Sequence, residues 1–267
     1  MSCVHMERLG TVERIAQAKS ELVQALPANG WAILNADDQR VRAMQSLTSA
    51  KRLLYGLDSD ADVRASDLET VGLEGLGFRL HRGRETAKAY CPLPGRHSVY
   101  ACLAAAAVGL AEGLSLREVV EGLESIEQRP RLKTAPGPGG SIIIDDTYNA
   151  SPLSTVAALE LLGQLPGRRL AVLGDMYELG AHEEEGHREV GRKAAQVLDE
   201  LVAVGPRARW IGEEAKAGGL QNVRFARSNQ EVELNLGAGD YVLVKGSRGM
   251  RMEEVVDRLR RGKEKVD

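Results

Sequence analysis

The chain has 267 residues, a length that suits about two domains. Hydrophobic residues make up 43% and charged residues 27%, which excludes disorder as the main state, while aromatics at 4% leave an aliphatic core. Lys and Arg number 35 against 38 Asp and Glu, a formal net charge of -3 with no basic stripe, so no nucleic-acid partner is expected.

The N-terminus has no basic segment followed by an apolar one, so no leader is expected and a cytoplasmic location follows as the default. Apolar residues at Val12, Ile15, Leu22 and Ala25 predict an amphipathic helix over 12–26, stopped by Pro27, Asn29 and Gly30. Residues 31–34 read as a strand closed by Asn35-Ala36-Asp37-Asp38. Further strands are predicted over 52–55 and 71–81, with an acidic turn-rich stretch at 58–62 between them. Gly72, Gly75 and Gly77 fit a twisted or bulged sheet better than a phosphate loop, because no helix follows them. Pro92, Pro94 and Gly95 break the chain before Arg96-His97-Ser98 opens an Ala-rich buried helix. Its apolar stretch, 101–111, is well short of the ~18 residues of a membrane span, so no membrane insertion is expected. Ser115 with Glu118 three residues on has the spacing of a capping box for the next helix.

Pro130, Pro136, Pro138 and three glycines then mark a boundary within 128–140, giving domains 1–128 and 129–267. After it the pattern restarts. Strands are predicted at 141–144, 170–173, 200–204, 223–226 and 241–244, with helices at 154–165, 183–197 and 252–260 and a weaker helix or loop from Trp210. Ile142-Ile143-Ile144 and Val242-Leu243-Val244 are the continuous apolar runs of strands buried on both faces. The fold class is α/β. The second half is a doubly wound parallel sheet whose ligand belongs at the C-terminal ends of its strands.

Three segments sit at those ends. Asp145-Asp146-Thr147-Tyr148-Asn149-Ala150-Ser151-Pro152 offers carboxylates for sugar hydroxyls and an amide in Asn149, although Asp, Asn and Ser are also ordinary helix caps. Gly174-Asp175-Met176-Tyr177-Glu178-Leu179-Gly180 follows the next apolar strand and also suits a plain turn. Lys245-Gly246-Ser247-Arg248-Gly249 interleaves cations with glycines, a pattern for an anion site or a solvated turn, without Walker spacing. His182 and His187 are five residues apart, roughly 140° around a helix, and so do not make a zinc pair. Cys3, Cys91 and Cys102 fit neither a disulfide framework nor a zinc site.

These segments, together with His5-Met6-Glu7-Arg8-Leu9-Gly10, Ala18-Lys19-Ser20-Glu21, Leu34-Asn35-Ala36-Asp37-Asp38, Gly95-Arg96-His97 and Arg131-Leu132, resemble the Mur ligase family of peptidoglycan synthesis along essentially the whole chain. The resemblance implies an ATP-dependent acid–amino-acid ligase acting through an acyl phosphate, with ATP and Mg2+ as cofactors. It also implies UDP-MurNAc-tripeptide and D-alanyl-D-alanine as substrates. By that likeness His5 helps hold magnesium, and Lys19 becomes a metal-binding carbamate; these two are the candidate catalytic residues. Asn35 and His97 line the nucleotide site, Arg131 contacts phosphate, and Asp146 grips the ribose with Asn149 beside it. Lys245, Ser247 and Arg248 meet the peptide end of the substrate. Asp175, Glu178 and His187 fall on family motifs with a substrate-side or structural role.

The fold implied is a partial central ATPase domain followed by a Rossmann-like C-terminal domain. Ser98, Pro130 and Ser151 stand where the family commonly has Asn, Gly and Asn. The sequence holds no Gly-x-Gly-Lys-[Ser/Thr] loop to cradle the β- and γ-phosphates, so the chain is expected to be inactive alone and to need a missing N-terminal half. Three alternatives stand beside this reading: a non-catalytic binding module, one half of a split ligase, and a folylpolyglutamate synthase-like member of the superfamily.

Overall fold

The computed structural model describes residues 10–58, 60–126 and 132–261, which fall into two units, 10–126 and 132–261. In the first unit, helix α1 (Val12–Gln24) begins at Thr11, whose hydroxyl accepts the Arg14 N–H. It buries Ile15 and Val23, and Val23 joins Ala32, Leu34 and Met44 in a small apolar cluster. Strand β1 (Trp31–Asn35) and strand β2 (Lys51–Gly56) are parallel, and the short helix α2 (Gln39–Ala43) lies between them in sequence, capped by Asp38.

Strands β3 (Val63–Val71), β4 (Gly75–Arg82) and β5 (Glu85–Cys91) complete a sheet of order β1-β2-β3-β4-β5. β3 runs parallel to β2, and β3, β4 and β5 form an antiparallel meander. The expected strand over 71–81 begins only at Gly75, as β4; Val71 ends β3, and the chain turns between them at Gly72, which sits at φ +51° where a side chain would be strained. β3 was not expected, because a bulge between Ser66 and Glu69, with Asp67 at φ +55°, interrupts its alternation. β5 was hidden by its Ala and Lys content, which gives a weak strand signal. Helices α3 (Val99–Ala111) and α4 (Leu116–Glu124) pack on the sheet, and the Ser115–Glu118 capping box is formed.

In the second unit, strands β6 (Lys133–Pro136), β7 (Ile142–Asp146), β8 (Arg168–Gly174), β9 (Glu200–Val204), β10 (Val223–Ala226) and β11 (Asp240–Lys245) form one sheet of order β10-β9-β8-β11-β7-β6. All are parallel except the edge strand β6, which occupies part of the expected boundary stretch. Helix α5 (Pro152–Leu162) follows β7, α6 (Glu183–Val197) follows β8, and α7 (Ala208–Ala217) follows β9. Terminal helix α8 (Glu253–Arg261) packs against β7 and β11 over a core that includes Ile143, Val172, Val242, Val244, Met252 and Val256. The opposite side chains of the same strands, such as Ile144, Ala171, Leu173 and Leu243, are equally buried, as continuous apolar runs require. From β8 the chain steps outward to β9 and β10 and then returns to place β11 between β8 and β7. That reversal opens the crevice at the C-terminal ends of β7, β8 and β11.

Candidate functional site

Register explains how distant motifs meet in the second unit. Lys245, the last residue of β11, lies opposite Asp146 on β7, and Leu173 on β8 is its other neighbour. The Lys245 ammonium is only 2% exposed and donates to Asp146 Oδ2 at 2.6 Å and to the Asn149 carbonyl at 2.8 Å. Thr147 folds back on Asp145, whose Oδ1 accepts its N–H at 3.1 Å and its hydroxyl at 2.7 Å. The two neighbouring carboxylates therefore divide their work: Asp145 shapes the turn and Asp146 answers the lysine. Asn149 is exposed, and its Oδ1 accepts the N–H of Ala150.

The β8 and β11 loops are joined by hydrogen bonds. Ser247 N–H donates to the Asp175 carbonyl at 2.9 Å, and Ser247 Oγ accepts the Tyr177 N–H at 2.7 Å. Gly174 and Gly246 allow this approach: a Cβ on Gly246 would lie 2.7 Å from Met252 Cγ and 3.2 Å from Gly174 Cα. Arg248 lies outside the seam with its side chain 66% exposed, 3.4 Å from Glu253. The three residues matched to the peptide end of a substrate are thus not equivalent. Lys245 and Ser247 hold the loops together, and only Arg248 presents its charge to solvent.

Asp175 and His187 are also internal. Asp175 is 1% exposed, and its Oδ1 accepts the N–H groups of Arg207 and Ala208 at 2.9 and 2.7 Å, so it caps α7 from another strand end. Burial raises its carboxyl above the usual range, and those two N–H bonds oppose the rise. His187 is fully buried on α6. Its Nε2 accepts the Met176 N–H at 3.0 Å, its Nδ1 lies 2.6 Å from the Glu183 carbonyl, and Trp210 packs edge-on at 5.8 Å. Those partners require a neutral ring with its proton on Nδ1, and burial lowers its pKa to match. Asp175 thus holds the start of α7, and His187 holds the Met176 N–H.

In the first unit a second polar cluster forms at the C-terminal ends of β1 and β2. Asn35 ends β1, and its Oδ1 accepts the Asp37 N–H at 3.0 Å. The Asp37 carboxylate accepts the Leu57 N–H at 2.8 Å, the Asp58 N–H at 3.3 Å and the Tyr100 hydroxyl at 2.9 Å. His97 is exposed in the 3-10 turn Arg96–Ser98 that leads into α3. The structure thus brings Asn35 and the base of the His97 turn to one region through Asp37 and Tyr100. Sequence reading placed Asp37 only in the turn that closes β1 and passed over Tyr100. The available signal was Tyr100 standing three residues, one helical turn, after His97.

Lys19 is exposed on α1. His5 and Arg131 lie outside the described residues. Among the described residues no three His, Cys, Asp or Glu side chains are grouped to hold a metal ion, so these side chains alone do not form a magnesium site. No helix of the described residues is long and apolar enough to cross a membrane. Cys91 and Cys102 are buried free thiols.

Comparison with known proteins adds to this geometry. Residues 1–109 match the Mur ligase middle domain, and residues 130–248 match the Mur ligase glutamate ligase domain. The UDP-N-acetylmuramoyl-tripeptide–D-alanyl-D-alanine ligase of Escherichia coli is 32% identical over 97% of this chain and 58% of its own length. The enzyme of the same name from Bacillus subtilis is 33% identical over 96% of this chain and 56% of its own length. Among solved structures, MurF from Acinetobacter baumannii superposes with a TM-score of 0.84 at 29% identity, covering 96% of this chain and 57% of that one. MurF from Thermotoga maritima, determined in complex with ADP, gives 0.80 at 25% identity, covering 97% and 60%. The chain therefore spans a little over half the length of the relatives it matches.

Proposed function

Because the chain belongs to the Mur ligase family, we propose that it provides the nucleotide-binding and dipeptide-binding parts of a ligase that adds D-alanyl-D-alanine to UDP-MurNAc-tripeptide. The observation that carries this reading is the joining of three motif loops at one crevice, through Lys245–Asp146, Ser247–Asp175 and Tyr177–Ser247.

In that reaction the terminal carboxylate of the tripeptide attacks the γ-phosphorus of ATP, releasing ADP and forming an acyl phosphate. The dipeptide amine then attacks the acyl carbon, phosphate leaves and the amide forms. Arg248, exposed at the rim, suits the dipeptide carboxylate. Asp146, steadied by Lys245, keeps Oδ1 for a ribose hydroxyl. Asn35 offers its amide N–H groups, since its oxygen is taken by Asp37. The ADP bound by the Thermotoga relative supports a nucleotide here. Magnesium enters the reading through His5 and Lys19, and a cytoplasmic location is part of it. The phosphate cradle and the UDP-sugar site belong to a segment outside this sequence.

The test is an assay for ATP-dependent joining of UDP-MurNAc-tripeptide and D-alanyl-D-alanine. The chain is assayed alone, and again with the N-terminal segment of the Bacillus subtilis relative that it does not match. Product in the second arm only is the expected result. Product from the chain alone would remove the need for a second segment. No product in either arm, with the full-length relative active alongside, would overturn the ligase reading.

A further inference from the structure

The Asp37 carboxylate gathers more of the polar cluster at the ends of β1 and β2 than any residue assigned to the nucleotide. It accepts main-chain N–H groups from Leu57 and Asp58, just beyond β2, and the hydroxyl of Tyr100, in the first turn of α3. Its own N–H is held by Asn35 Oδ1 at the end of β1. Three elements thus meet on one residue, two of them on its carboxylate. Space for it comes from Gly56, where a Cβ would fall 2.4 Å from Asp37 Oδ1. An alanine there would force the carboxylate to move.

The consequence for Asn35 is chemical. A terminal amide can present either its oxygen or its N–H2 to a ligand, and the two choices differ by a flip. Here the oxygen is occupied by the Asp37 N–H, so the N–H2 is the group left to donate. The flip stays closed only while the Asp37 main chain stays in place, and the carboxylate tethers it to β2 and α3. Tyr100 keeps the proton that it donates in this tether, because burial, and then the hydrogen bond to Asp37, push its hydroxyl up to about 12. Because Tyr100 starts the helix that His97 leads into, the same bond fixes the base of the His97 turn.

We infer that Asp37 and Tyr100 are positioning residues of the nucleotide site, setting the Asn35 amide as a donor toward acceptor atoms of a purine nucleoside and fixing the turn that carries His97. This rests on the nucleotide reading of Asn35 and His97 given above. Neither residue touches the ligand, and both act through those two side chains.

The test is a thermodynamic cycle on the full chain, with ATP affinity measured by isothermal titration. Tyr100→Phe is expected to weaken ATP binding about fivefold to tenfold, and by a clearly smaller factor when Asn35 is already alanine, the remainder being the part that passes through the His97 turn. Asp37→Asn is the second variant; it turns an N–H2 toward donors, and its loss is expected to be larger and again reduced on the Asn35→Ala background. A purely structural role predicts the same proportional loss on both backgrounds. That result would overturn the inference, as would a Tyr100→Phe affinity within twofold of the original. Absence of ATP binding by the unaltered chain would defeat the nucleotide reading separately. The positioning role is then decided by the Asn35 side-chain amide signals in the nuclear magnetic resonance spectrum of the free protein. It stands if Tyr100→Phe shifts them and falls if they do not move.

Discussion

Lys245 is an ammonium group placed where solvent cannot reach it, and its stability depends on Asp146 and the Asn149 carbonyl. Two ions taken out of water roughly break even when paired, but one left alone is costly. Lys245→Met is therefore expected to destabilise the second unit by about 3–5 kcal/mol, because it strands the Asp146 carboxylate. Adding Asp146→Asn should recover part of that loss, which urea unfolding of the single and double variants would show. Arg248 is the contrasting case. Its side chain is largely exposed, so Arg248→Ala should change stability by no more than about 0.5 kcal/mol. Under the proposed function it should still raise the KM for D-alanyl-D-alanine by about tenfold or more, with kcat little changed. The sequence grouped Lys245, Ser247 and Arg248 as one ligand-facing set. Spacing after an apolar strand showed where the loop begins. It could not show that Lys245 still belongs to the strand and points into the register partner Asp146.

Helix starts show why some elements were readable and others were not. α4 carries its cap beside it in Ser115 and Glu118, so a four-residue pattern was enough to find it. α7 has no side-chain cap of its own and takes Asp175, 33 residues before Ala208, as the acceptor for its first N–H groups. Only the fold brings that carboxylate to it, so the sequence could offer no more than a weak helix near Trp210. Asp175→Ala should cost about 2 kcal/mol, by removing the acceptor of two buried N–H groups. Asp175→Asn keeps an oxygen for both and removes a carboxylate that burial disfavours. It should therefore cost less than about 1 kcal/mol. The difference between the two variants in denaturant midpoint at neutral pH is the measurement. In the first unit the strands that escaped prediction have a similar origin, since the bulge in β3 and the alanines of β5 are tolerated only because β4 lies between them.

At the scale of the whole molecule, each unit buries one neutral histidine among the described residues, and this pair shapes the response to acid. His81 in β4 is held by Ser66 Oγ at 2.8 Å, with burial first and then Arg64 and Arg79 lowering its pKa, against Asp67. His187 is lowered chiefly by burial, against Glu183 and Asp175, and its Nε2 must stay unprotonated to accept the Met176 N–H. In the unfolded chain each ring titrates near 6.5. Below that value the unfolded state binds protons that the folded state refuses. Stability is thus fully present above about pH 6.5 and falls as pH drops toward the lowered folded values, by up to about 1.4 kcal/mol per pH unit for each ring. Asp175 acts with the opposite sign, gaining as pH falls through its raised folded pKa, so it has to be separated from the histidine effect. Comparison with His187→Gln does this, because Asp175 is present in both proteins. The tryptophans are Trp31 and Trp210, so a Trp31→Phe background lets Trp210, which packs on His187, report the second unit alone. Urea midpoints followed by its fluorescence should fall between pH 7.5 and pH 5.5 with His187 present. With glutamine they should start lower and change much less. Equal slopes in the two proteins would mean that His187 accepts its proton in the folded state, and that the Met176 N–H does not depend on a neutral ring.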